Sequence, residues 1–230
     1  GDWYVNPLSF VNVTNSDGYV DLNGNLLISG GEFHVYGGLD ASYWAYEANA
    51  GLLMIDGILD FHNVGSNMVP TSHTLTTLVN GGTIRTSGYF NLSRDGFAPS
   101  GGTVELYGPS AAFVGQSSGV SFHDLRINKS DATSIVTAAN DLTINHDLTI
   151  QQGVFEVNAN TVYIGNDMQV SSTVRMGSET SVVRVARHYN WNAGSSVQMY
   201  GPGTFRALGN WTYAVGSNVN MTQGNVNFLG

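Results

Sequence analysis

The sequence predicts an all-β chain: one single-domain, right-handed parallel β-helix (β-solenoid) of about ten coils of 20–26 residues, with three short strands in each coil. Two observations carry that expectation. The first is a fixed period. "DLRI" from Asp124 returns as "DLTI" from Asp147 and "DMQV" from Asp167, and then as "NWNA" from Asn190 and "NWTY" from Asn210, in steps of 23, 20, 23 and 20 residues. The second is alternation at period two in segments rich in Val, Ile, Leu and Thr, broken by Gly, Asn and Asp. No stretch shows a 3.6-residue apolar stripe with helix caps.

Taken in chain order, residues 1–24 read as an N-terminal cap or first coil, and residues 25–230 as the β-helix itself, with longer loops within 32–100. In the cap, Trp3, Tyr4, Leu8 and Phe10 are placed to fold over the first coil, and Pro7 interrupts further pairing. "NLLISGGEFHVYG" from Asn25, "GLLMIDGILDFHN" from Gly51 and "TTLVNGGTIRTSG" from Thr76 share one form. Each is an apolar strand, a Gly (Gly31, Gly57, Gly82) and a second strand, and "SGGTVELYG" from Ser100 repeats the second half.

The later coils are stricter. "GVFEV" from Gly153, "TVRM" from Thr173 and "SVQM" from Ser196 mark a second strand per turn. "TVYI" from Thr161, "VVRV" from Val182, "TFRA" from Thr204 and "NVNFL" from Asn225 mark a third. Like residues then stack on like at about 4.8 Å per coil, giving a rod on the order of 50 Å. Leu125, Leu148, Met168, Trp191 and Trp211 are expected as one buried inward ladder, because they share phase and apolar character.

Several of these segments carry a resemblance. "GGEFHVYG", "NDLTINHDLTIQQGVFEVNANTVYIGND", "GNWTY" and "GNVNFLG" resemble the repeats of large secreted parallel β-helix proteins of Bacteroidetes-type bacteria. The resemblance implies an exported, surface-bound, adhesin-like role and an extracellular or cell-surface location.

Composition narrows the function classes. Hydrophobic residues make up 42% of the 230, charged residues 11%, and the net charge is −9, from 17 acids against 8 bases with Lys129 the sole lysine. That composition supports a real core and argues against disorder. A chain so poor in bases has no patch to neutralise phosphates, so nucleic acid is not an expected partner, and no apolar run is long enough for membrane insertion. The absence of cysteine excludes thiolate metal sites, thiol nucleophiles and disulfides. The opening "GDWYVNP" and the closing "GNVNFLG" read as cut ends of a longer protein.

Candidate chemistry is sparse. His123–Asp124 and His146–Asp147 pair His with Asp, yet no activated nucleophile shares their phase, so no catalytic residue is assigned. Asp124, Asp147 and Asp167, with Asn190 and Asn210, read as a ladder of corner residues whose side chains bond the backbone two residues on. The alternative is that stacked carboxylates, which repel one another, take up Ca²⁺, so the expectation is no cofactor, with Ca²⁺ the one cation the ladder would hold. Asp56 and Asp60 read as outward solubilising groups rather than a glycosidase pair. "DASYWAYEANAG" (Asp40 to Gly51) has a character of its own. Tyr43, Trp44 and Tyr46 with Glu47 form a candidate stacking platform for sugar rings, set against a loop that folds its aromatics onto the coil flank. The reading that follows is an extracellular structural or adhesive stalk or spacer, and the alternative is a carbohydrate-active module, polysaccharide-binding or lyase-like. Expected partners are polysaccharide or other cell-surface components, and a second copy joined end to end through the open, uncharged C-terminal coil.

Overall fold

The computed structural model describes residues 3–14, 21–22, 26–36, 47–48, 52–62, 67–68, 78–92, 99–116 and 121–229. Every strand pairing among them is parallel, and the chain is an all-β parallel β-solenoid of about seven turns with three strands per coil. The largest sheet runs through Trp3–Val5, Leu26–Tyr36, Leu52–Phe61, Thr83–Thr86, Thr103–Gly108, Asp124–Lys129, Leu148–Gln152, Met168–Val170, Tyr189–Trp191 and Trp211–Tyr213. The second starts at Asn67–Met68 and ends at Asn218–Met221, and the third runs from Leu142–Ile144 to Asn225–Phe228. The repeats lead one to expect about ten coils, and about seven turns form. Among the described residues the third sheet begins at Leu142–Ile144, whereas the path of the largest sheet carries ten strands.

The alternation read from the sequence is the alternation of burial. In Asp124–Lys129 the residues Leu125 and Ile127 are buried, while Asp124, Arg126 and Asn128 face outward. Val162 and Ile164, Val183 and Val185, and Phe205 and Ala207 repeat the pattern on the third sheet, in register. One continuous core therefore runs the length of the solenoid, each turn adding a layer of Val, Ile, Leu, Phe or Met to the last. At the first residues, Trp3–Val5 pairs with Leu26–Ile28 and Phe10–Thr14 with Glu32–Tyr36, so this segment enters the largest sheet as strands, with Tyr4, Leu8 and Phe10 exposed.

The inward ladder departs from the expected one at a single coil. Leu125 pairs with Leu148, Leu148 with Met168, Met168 with Tyr189 and Tyr189 with Trp211. Trp191 belongs two residues further on, in the ladder Ile127, Ile150, Val170, Trp191 and Tyr213. The correction has a physical cause. In Tyr189–Trp191 both large rings point inward, and the strand is placed by where its first inward residue meets the corner, not by the Asn-Trp dipeptide it shares with Asn210-Trp211. Trp191 and Trp211 still stack, with ring centroids 5.5 Å apart and planes 8° apart, because the indoles bridge neighbouring ladders. Leu125, Leu148, Met168 and Trp191 are buried, and Trp211 is partly buried against the core.

Glycines fix one corner of the early coils. At Gly57 φ is +99° and a Cβ would lie 2.3 Å from the Gly31 carbonyl oxygen; at Gly82 φ is +75° and the Gly57 carbonyl would be 2.7 Å away. Each corner glycine packs on the backbone of the turn before it, so neither the conformation nor the space admits a side chain.

Candidate functional site

The corner glycines also set the phase of the residues three positions on. His34, Asp60, Arg85 and Glu105 become register partners across four neighbouring strands, and Arg126 extends the row. All five side chains lie on the outer face of the largest sheet, and from Asp60 to Arg126 the signs of the charges alternate. Arg85 Nη1 is 3.4 Å from Asp60 Oδ2, Arg85 Nε is 3.6 Å from Glu105 Oε2, and Asn128 donates to Glu105 Oε1 at 2.9 Å. The Arg85 guanidinium lies over the Tyr107 ring, 4.5 Å from its centroid.

Asp60 does not behave as a solubilising group. It is 1% exposed, because its neighbours close over it, and a buried carboxylate requires partners. Tyr107 Oη donates to Asp60 Oδ1 at 2.8 Å. Burial and that bond to Asp60 push the phenol well above its ordinary range, so it stays a donor. His62 sits two residues beyond Asp60 on the same face, with Nε2 3.4 Å from Asp60 Oδ2 and Nδ1 3.1 Å from Tyr107 Oη. His34 approaches from the neighbouring strand. Its Nδ1 is 2.7 Å from His62 Nε2 and 3.7 Å from Asp60 Oδ2, and its Nε2 is 2.8 Å from Glu32 Oε2. Burial lowers the His62 pKa, and nearby Asp60 opposes that shift.

A second His–Asp group stands at a corner of the later coils. His146 Nδ1 is 2.8 Å from Asp124 Oδ1, His123 Nδ1 is 3.2 Å from Asp124 Oδ2, and the two imidazoles stack with centroids 4.9 Å apart. The hydrogen bond from His146 to Asp124 raises the pKa of His146. The aspartates bond upward rather than along their own turn: Asp124 Oδ1 accepts the amide of Asp147, Asp147 Oδ1 that of Asp167, and Asp167 Oδ1 that of His188, each at 3.0 Å. The corner ladder is therefore Asp124, Asp147, Asp167, His188 and Asn210, with His188 in the place expected for Asn190, which pairs instead with Gln169. Each carboxylate acts as a cap for the next coil, a role that the reading of a turn two residues long missed.

Lys129 is a further buried charge, besides Asp60 and Glu105. Its side chain turns inward at the end of Asp124–Lys129, is 1% exposed and donates to the Tyr107 carbonyl. Desolvation lowers its pKa to about 8. The loop that follows is tied by Asp131, which accepts from the Ser134 and Thr133 side chains and amides; those bonds hold its carboxyl far below the usual range.

Of the residues picked from the sequence, Tyr43, Trp44 and Tyr46 lie outside the described residues. Glu47 opens the two-residue strand paired with Asp21–Leu22. Asp124 joins His123 and His146, while Asp147 and Asp167 continue the corner ladder. The His34–Asp60–His62 group was not foreseen, although its signal was present: "GEFHV", "GILDFH" and "GTIRT", aligned on their glycines, place His34, Asp60 and Arg85 in one row.

These features define a class, a parallel β-solenoid with a charge-alternating row on its largest sheet and, among the described residues, two His–carboxylate groups. No protein-family model, curated protein or solved structure matches the chain.

Proposed function

We propose that this chain is a rigid, non-catalytic solenoid segment, a stalk or spacer of an extracellular or cell-surface protein. The observation that carries the reading is the unbroken hydrogen-bonded path of ten parallel strands from Trp3–Val5 to Trp211–Tyr213 over one continuous core. Such a stack resists bending, because parallel backbone ladders and layered apolar side chains hold each coil to the next. The location rests on the resemblance of the Gly- and Asn-rich repeats to secreted solenoids of Bacteroidetes-type bacteria. The test has two arms: labelling of intact source cells by an antibody to this segment, and incubation of the purified chain with a panel of common polysaccharides. Surface labelling without turnover supports a stalk. Turnover abolished by changing Asp60 or Asp124 would replace it with the carbohydrate-active alternative.

The self-partner in this reading is a second copy placed end to end. Among the described residues, Asn225–Phe228 pairs on one side with Thr204–Ala207, and Phe228 and Leu229 are 63% and 59% exposed. A strand edge with apolar, uncharged side chains favours further parallel pairing, with a second copy or with coils that follow in a longer chain. Association that rises with concentration and is lost in Asn225→Lys/Asn227→Lys is the expected result. A chain that stays monomeric at high concentration contradicts it.

A further inference from the structure

We infer that His34, Asp60 and His62 form a binding site for a divalent transition-metal ion of the Zn²⁺ class, held on the outer face of the largest sheet between two adjacent coils. His34, Asp60 and His62 offer donor atoms that all lie within 4.8 Å of one another. The outer nitrogens of the two rings are turned away from this group: His34 Nε2 faces Glu32 Oε2 at 2.8 Å, and His62 Nδ1 faces Tyr107 Oη at 3.1 Å, while Tyr107 donates to Asp60 Oδ1. The two inner nitrogens approach to 2.7 Å, a separation at which either a proton or a metal ion is held between them.

Asp60 Oδ2 completes the set, 3.4 Å from His62 Nε2 and 3.7 Å from His34 Nδ1. A tetrahedral ion with bonds of about 2.0–2.1 Å places its ligand atoms roughly 3.3 Å apart. The three spacings straddle that value, so small side-chain rotations bring all three atoms onto one ion. Two imidazoles and a carboxylate are the donors of a Zn²⁺ site with one coordination position left for water or a further ligand. The surroundings also have the form of an outer shell: Glu32 orients His34, and Tyr107 orients both His62 and Asp60. Arg85 is the opposing charge, 3.4 Å from Asp60 Oδ2, and Glu105 on its other side draws its guanidinium toward the next strand.

The corner group of His123, Asp124 and His146 serves as the control, because Asp124 Oδ1 there already accepts the Asp147 amide and His146. The test is calorimetric titration of the untagged chain with Zn²⁺, joined to the visible spectrum of the Co²⁺-loaded chain. One ion per chain with micromolar or tighter affinity, and an intense tetrahedral Co²⁺ spectrum, are expected. His62→Ala should abolish the spectrum, and Tyr107→Phe should weaken binding about 10–100-fold, the cost of removing an outer-shell partner. His146→Ala should leave both unchanged. Circular dichroism of each variant separates loss of a ligand from loss of fold, and His62, 26% exposed, is the ligand whose removal the fold tolerates best. Absence of stoichiometric binding, or binding that survives His62→Ala in a folded chain, overturns the site and leaves a shared proton between the two imidazoles. Loss of binding in His146→Ala moves it to the corner.

Discussion

Lys129 shows how a single residue sets a pH dependence. Its amine has a pKa of about 8 in the folded chain against 10.5 when exposed, because the coil interior desolvates the charge. Between those values the unfolded chain binds a proton that the folded chain does not, so stability rises as pH increases through that window. The gain from this group is on the order of 3 kcal/mol once pH exceeds both values. Chemical denaturation at pH 7 and at pH 10 should show the gain in the native chain, and Lys129→Met should lose it. An unchanged slope in the variant would place the ammonium in water. His146 gives the opposite sign. Its bond to Asp124 raises its pKa, so its contribution is fully present below the ordinary histidine value and fades as pH rises through the raised one. NMR titration should find the His146 midpoint above about 6.5 and find it lowered in Asp124→Asn. A midpoint unmoved by the substitution would contradict the pairing.

At the scale of the element, the corner glycines separate two costs. Gly57 and Gly194 both have positive φ, +99° and +82°, yet a Cβ at Gly57 meets the Gly31 carbonyl at 2.3 Å while one at Gly194 meets nothing within 4 Å. Gly194→Ala should therefore cost only backbone strain, about 1 kcal/mol, and Gly57→Ala should cost that plus a displaced coil, about 3 kcal/mol or more. Equal losses in thermal melts would mean that the coils are not stacked through this corner. The same corners explain what the sequence made legible. The strands at Thr161, Val182, Thr204 and Asn225 were placed correctly because each opens on an outward residue followed by an inward Val or Phe, so phase and burial agree. The coil at Tyr189 was misplaced by two residues because two large inward rings and an Asn-Trp dipeptide offer two equivalent phases, and only packing chooses between them. Asp60 was read as solvated because alternation tells which face a side chain takes, not whether neighbours cover it. Its partners His34 and Tyr107 lie 26 and 47 residues away along the chain.

The whole molecule is built on one geometry: each turn lies directly on the last, in a register set by inward packing and corner caps. That register determines the core, the alternating charges from Asp60 to Arg126, the aspartate ladder and the proposed metal site together. The chain has no cysteine, so paired cysteines read the register without background. Gln169 and Asn190 are partners on adjacent strands, whereas Asp167 and Asn190, the pairing implied by the sequence repeat, are offset by two residues. Adjacent parallel partners lie about 5 Å apart, within reach of a disulfide, while the offset pair lies roughly 8 Å apart, beyond it. The most direct measurement is the yield of intramolecular disulfide in the two double variants under mild oxidation. Near-complete crosslinking of Gln169→Cys/Asn190→Cys with little in Asp167→Cys/Asn190→Cys is the predicted result. Crosslinking of the offset pair, or of neither, would contradict the stacked solenoid and the register on which every other reading depends.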